Sequence, residues 1–263
     1  MTITLPHDLL ERGHVGAVVD GRVLHVTLDR PDARNAQTPA TWAALAAIGD
    51  ACSEGAVDVV IFRGAGTAFS AGLDRRMFTP EGIPGETSLA QMAAMADDAL
   101  ADTIAEFQRA FLWQRDAPVL TIAAVRGPAV GAGFQLALAC DILLAAPAAT
   151  FAMRETSYGL VPDLGGTQPL VRAVGYARAV DICATGRTID AEEGFRLGFV
   201  TRVVDDLEAG VADVLAAVAS APAGAVAELM PLLARAEGAS RVDQADAERR
   251  AQVTRLRALL GGR

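Results

Sequence analysis

Short apolar runs that alternate with helix-like segments predict an α/β protein. Two of the runs, Val57 to Phe62 and Val119 to Val125, have strand length and end in turns. Arg63-Gly64-Ala65-Gly66 follows the first and Arg126-Gly127-Pro128 the second. Elsewhere apolar residues fall near helical spacing, as Trp42, Leu45, Ile48 and Cys52 do between Thr41 and Cys52. No low-complexity linker divides the chain.

Taken in order, Val23 to Leu28 alternates apolar and polar side chains and reads as a strand. The helix from Thr41 and the strand from Val57 come next. Pro80 to Gly85 is rich in Pro and Gly and reads as a loop, ahead of a long helical region from Ser88 to about Trp113. The Val119 strand leads through Gly131-Ala132-Gly133 into a helix from Phe134 to Cys140. Ile142 to Ala145 reads as another strand. After about Asp190 the pattern is mostly helical and ends in the charged segment Arg241 to Arg257.

Composition narrows the function. The 263 residues suffice for a large core, and the 52% hydrophobic fraction comes largely from Ala. No apolar run approaches the roughly 20 residues of a membrane span, and residues 1–14 lack a basic-then-apolar signal pattern. A soluble, cytoplasmic protein is expected. The net charge of −9 argues against a general nucleic-acid binder. Every basic residue other than His is Arg, so Schiff-base lysine chemistry and a P-loop lysine are excluded. Cys52, Cys140 and Cys183 are too few and too scattered for a disulfide framework or a zinc site, and no metal is expected.

The stretch from Gly127 to Gln168 concentrates the chemistry. A Gly-rich turn opening a helix presents unpaired backbone N–H groups and the positive end of the helix dipole, which suits developing negative charge. Glu155, twenty residues beyond Gln135, is the carboxylate to move protons there.

Five blocks then resemble the enoyl-CoA hydratase/isomerase (crotonase) superfamily. They are Leu28 to Ala36, Phe69-Ser70-Ala71-Gly72-Leu73-Asp74, Gly127 to Asp141, Phe151 to Gln168, and Thr185 to Glu193. They span nearly the whole chain in the expected order. The resemblance implies a spiral of repeated ββα units over residues 1–190. A C-terminal helical region, 191–263, would serve a homotrimer or a dimer of trimers. It implies an acyl-CoA substrate and no separate cofactor, since coenzyme A is part of that substrate. It places oxyanion-hole donors at the backbone N–H groups of Ala71 and Ala132. Gly72, Leu73, Asp74 and Gly131 would bind substrate, and Arg30 and Arg34 would meet the CoA phosphates.

One departure decides the chemistry expected. Hydratases of this family use two glutamates; Glu155 stands where the second belongs, but Gln135 stands where the first belongs. An amide cannot usefully accept a proton near pH 7. Moving a double bond from the 3- to the 2-position needs only one base, so isomerisation by Glu155 is favoured over hydration. A non-catalytic acyl-CoA-binding protein is the further alternative. Asp163, eight residues past Glu155, matches the carboxylate spacing of the dienoyl-CoA isomerase branch and reads as an auxiliary acid or as a turn residue. Met77, Phe78, Met92, Met95, Phe107, Phe111 and Trp113 are candidates for an acyl pocket or for the helix core. Ser70 has no histidine suitably near in sequence and is not expected to be a nucleophile.

Overall fold

The computed structural model describes residues 3–53 and 55–261. Its main sheet has six strands in the order β1 (Val15–Asp20), β2 (Val23–Leu28), β3 (Val59–Gly64), β4 (Leu120–Val125), β6 (Ile142–Ala145) and β9 (Arg202–Val203). The β1–β2 hairpin is antiparallel and every later pairing is parallel. A second sheet joins β5 (Pro128–Val130), β7 (Thr150–Ala152) and β8 (Ile189–Asp190). From β4 onward the chain lays one strand in each sheet, β4 then β5 and β6 then β7, before crossing by a helix. This is the crotonase spiral.

The helices are α1 (His7–Arg12), α2 (Pro39–Cys52), α3 (Leu89–Ala93), α4 (Asp97–Asp116), α5 (Ala132–Ala139), α6 (Thr167–Val174) and α7 (Tyr176–Thr185). They continue with α8 (Ala191–Leu197), α9 (Leu207–Ala219), α10 (Ala225–Ala236) and α11 (Arg241–Leu260). Among the described residues, none is long and apolar enough to cross a membrane. α2 starts at Pro39, two residues ahead of the expected Thr41, for a local reason. Thr38 and Thr41 form a reciprocal capping box, and Pro39 occupies the first turn, where its missing N–H costs nothing. β4 is buried at every position, as a strand covered on both faces must be. α5 is buried at every residue, which is why its sequence is apolar except for Gln135.

Two expectations change. The long helix from Ser88 is two helices, broken at Ala94 to Ala96. Ser88 caps α3 in a box with Gln91, while Asp97 and Asp98 favour a fresh helix start by lying in the first turn of α4. The mostly helical region after Asp190 also contains β9, which returns to pair with β6.

Candidate active site

The segment from Asn35 to Asp74 is tied into one unit by buried amides. Asn35 donates to the carbonyls of Ala65 and Ala68, and its Oδ1 accepts from the Arg30 N–H. Gln37 accepts from the Trp42 indole at 2.8 Å and donates to Ser70 Oγ at 3.1 Å. The Ser70 hydroxyl itself donates to the Asn35 carbonyl and accepts from Gly72 N–H. It is fully buried and fully engaged, the state of a structural serine.

This lattice determines which backbone donors stay free. Ala71 was the expected oxyanion donor, but its N–H donates to the Arg34 carbonyl at 2.8 Å, so that assignment is corrected. Gly72 carbonyl and Asp74 N–H pair with Gln37 on one side of an extended segment. Leu73, between them, turns its N–H the other way, as alternation along extended backbone requires. Among the described residues neither the Leu73 N–H nor the Ala132 N–H at the start of α5 has an acceptor. The two segments are in close contact. A Cβ on Gly72 would lie 2.5 Å from the Val130 carbonyl oxygen and 3.5 Å from the Ala132 nitrogen, and Gly72 has φ +85°. Only glycine permits this approach.

Both donor segments border a cavity of about 1260 Å³. Gln135, Glu155 and Asp163 line it with Gly131 and Ala132. Of the seven apolar candidates, Met77, Phe78, Met92 and Phe107 line it, joined by Trp42 of α2. Phe107 packs on Trp42 at 4.8 Å between ring centroids. Phe111 packs on Trp42 and Trp113 on Phe62, both as core. Arg30, Arg34, Arg75, Arg76 and Arg154 contribute positive charge to its walls.

Glu155 opens a short 3₁₀ turn just after β7. Its Oε1 accepts from Gln135 Nε2 at 2.7 Å, while its Oε2 is buried without a partner. Burial pushes its carboxyl above the ordinary value of 4.5; hydrogen bonds from the backbone and Gln135 oppose this, and the Asp163 charge adds to it. Burial also raises Asp163 above its usual 3.8. Gly131, at φ +52°, brings the backbone against the carboxylate: a Cβ there would sit 3.2 Å from Glu155 Oε1.

Asp74 borders the same cavity but has no free acceptor to offer. It accepts from Arg30 at 2.5 Å, from the Arg76 guanidinium at 2.8 Å and from the Arg76 backbone N–H. Burial would raise its carboxyl, but these arginine contacts win and hold it far below the carboxylate range. It is a clamp on two arginines, and Arg30, expected at a phosphate, is one of them.

A strand–strand–helix spiral whose Gly-rich turns enclose such a cavity defines the crotonase class of protein. The chain belongs to the enoyl-CoA hydratase/isomerase family, whose model matches residues 19–257. "Probable enoyl-CoA hydratase echA8" of Mycobacterium tuberculosis is 39% identical over 194 residues, covering 72% of this chain and 68% of its own length. A Thermobifida fusca YX protein named as an enoyl-CoA hydratase is similar along its whole length. It shows 42% identity, TM-score 0.91 and coverage of 100% of this chain and 99% of that one. The Thermobifida protein in complex with acetoacetyl-CoA matches at 43% identity and TM-score 0.90, covering 97% of this chain and 99% of that one.

Proposed function

We propose that the protein is an acyl-CoA double-bond isomerase that converts a 3-enoyl-CoA into the 2-enoyl-CoA. The observation that carries this reading is the direct Gln135–Glu155 contact at 2.7 Å. It leaves one proton-accepting group where two-glutamate hydration needs a pair, and no gap for a water between them. The Leu73 and Ala132 N–H groups would hold the thioester oxygen as it becomes an enolate, and loss of one such donor typically costs about 10²–10³ in rate. Glu155 takes the proton from C2, the electron pair moves into the conjugated dienolate, and the same carboxyl returns the proton at C4. No atom is gained or lost, so a single carboxyl is restored each turn.

Asp163, raised and facing the same cavity, serves as an auxiliary acid. The acetoacetyl-CoA complex of the Thermobifida protein supports an acyl-CoA ligand, with coenzyme A arriving as part of the substrate. Arg34 and Arg75 are placed at the cavity to meet its phosphates. Exposed Leu229, Leu233, Val253 and Leu256 on α10 and α11 support assembly through that region, as a homotrimer or dimer of trimers.

The hydratase names of the relatives favour the second reading, hydration with an altered pair. Purified protein assayed in parallel with a 3-enoyl-CoA and a 2-enoyl-CoA separates them. Product from the 3-ene with little hydration of the 2-ene supports the isomerase. Rapid consumption of the 2-ene as hydroxyacyl-CoA forms overturns it. Binding of both esters without turnover of either points to an acyl-CoA-binding protein.

A further inference from the structure

Gln135 is the lone polar side chain on a helix buried at every residue, and three of its four hydrogen-bonding positions are met. Its Oε1 accepts two backbone N–H groups, from Leu164 at 3.0 Å and Gly166 at 3.1 Å. Those donors fix which way the amide points, because an N–H cannot be met by the NH₂ end. The Nε2 is thereby forced toward Glu155 Oε1 at 2.7 Å. The turn is built to reach the amide: a Cβ at Gly166 would lie 2.6 Å from Gln135 Cγ. That same turn carries Asp163 immediately before Leu164.

We infer that Gln135 is a positioning residue that joins the two carboxylate-bearing segments and assigns the two oxygens of Glu155 different tasks. Oε1 is held as an acceptor by the amide. Oε2, which has no partner, is left to take and return the proton. The inference rests on the isomerase reading for its chemical consequence but not for its geometry. A glutamate at position 135 would keep the two backbone N–H bonds and place its other oxygen against Glu155 Oε1. Two carboxylates that close share a proton. The native amide supplies a donor with no proton to lose, so Glu155 keeps a single ionisation. The other titratable groups facing it are Asp163 on the turn and Cys183 on α7, with Arg154 adjacent in the chain.

Titration of Glu155 by carbon NMR on protein labelled at the glutamate carboxyl, its resonance assigned by its absence in Glu155→Gln, tests the geometry. The variants are Gln135→Leu and Gln135→Glu, each also assayed with a 3-enoyl-CoA. Gln135→Leu removes a hydrogen bond that favours the charged form, so Glu155 titrates at higher pH than in the native protein. Its kcat falls about 10- to 100-fold, the usual scale for a hydrogen bond to a charged group, with KM little changed. Gln135→Glu, nearly the same shape and able to keep both backbone bonds, moves the acidic limb of the pH–rate profile to higher pH. A Glu155 titration unchanged in both variants overturns the inference whatever the activity. Should Gln135→Leu fail to fold, Gln135→Glu alone decides it by the same readout. A native protein inactive on 3-enoyl-CoA, in which Glu155 still responds to position 135, would sink the isomerase reading and leave the positioning role standing.

Discussion

Asp74 and Glu155 border one cavity, and the fold treats them in opposite ways. Asp74 is surrounded by charge, with Arg30 and Arg76 on its oxygens, and its carboxyl is driven down. Glu155 is met by a neutral amide and by burial, and its carboxyl is driven up. The difference teaches how a single fold separates structure from chemistry. A carboxylate neutralised by two guanidinium groups has no reason to accept a proton at ordinary pH, so it can only hold things in place. One that meets only neutral donors stays chemically available.

The widest effect should come from the reactive member. Glu155→Gln keeps the shape and removes the base, and kcat on a 3-enoyl-CoA should drop by about 10²–10⁴, the range for general acid–base catalysis. Calorimetric affinity for a saturated acyl-CoA should stay close to native; turnover at the native rate would remove Glu155 from the mechanism. The same variant should melt at higher temperature at neutral pH. With a folded carboxyl raised above 4.5, the native protein loses stability as pH climbs from that value through the raised one, and a glutamine does not ionise.

Asp74→Ala should show the reverse pattern. Breaking a buried pair by deleting one partner costs roughly 3–5 kcal/mol, and we expect the lower end, about 3 kcal/mol, because Arg76 can turn to solvent. Arg30, whose Nε is already buried without a partner, would lose its carboxylate as well. The sign with pH is opposite to that at Glu155. Asp74 contributes stability above its ordinary value of 3.8, and that contribution disappears as pH falls from there through the depressed folded value. Melting curves of the two proteins should therefore converge in acid. A constant gap from pH 6 to pH 2 would show that packing, not charge, is what Asp74 provides.

Gly131→Ala tests how tightly the reactive site is built. The new Cβ would press on Glu155 Oε1 at 3.2 Å, from a residue whose φ of +52° already disfavours a side chain. A small displacement of a catalytic group is enough to lose about tenfold in kcat. Native kcat in this variant would mean that the carboxylate has slack.

These contrasts also mark where the sequence stops being informative. β2, β3, β4, β6, α2 and α5 could be read from apolar period and turn residues, because one side chain per position reports burial. The break between α3 and α4 could not: Ala94, Met95 and Ala96 are all comfortable in a helix. The oxyanion donor could not be fixed either. Ala71 and Leu73 are equally plausible by residue type, and only the pairing of Gly72 and Asp74 with Gln37 decides which N–H is free. Asp74 and Glu155 were both visible as acidic residues in conspicuous blocks. Their opposite fates depend on partners no residue type announces: Arg76 two residues on and Arg30 44 residues back for Asp74, Gln135 20 residues back for Glu155.

The finest test lies within the reactive site. Asp163 has no side-chain hydrogen bond among the described residues, yet its charge raises Glu155 while burial raises Asp163 itself. Asp163→Asn deletes the charge with little change of shape, so Glu155 should ionise at lower pH and the acidic limb of kcat should move down. The shift should be smaller than that from Gln135→Glu, because a carboxylate at 135 would touch Glu155 Oε1 while Asp163 acts on it through its charge alone. If Asp163 is also the auxiliary acid, kcat at the plateau falls as the limb moves. If it only adds field, the limb moves and the plateau holds. A profile that does neither would detach Asp163 from the chemistry and leave it a residue of the turn that Gln135 grips.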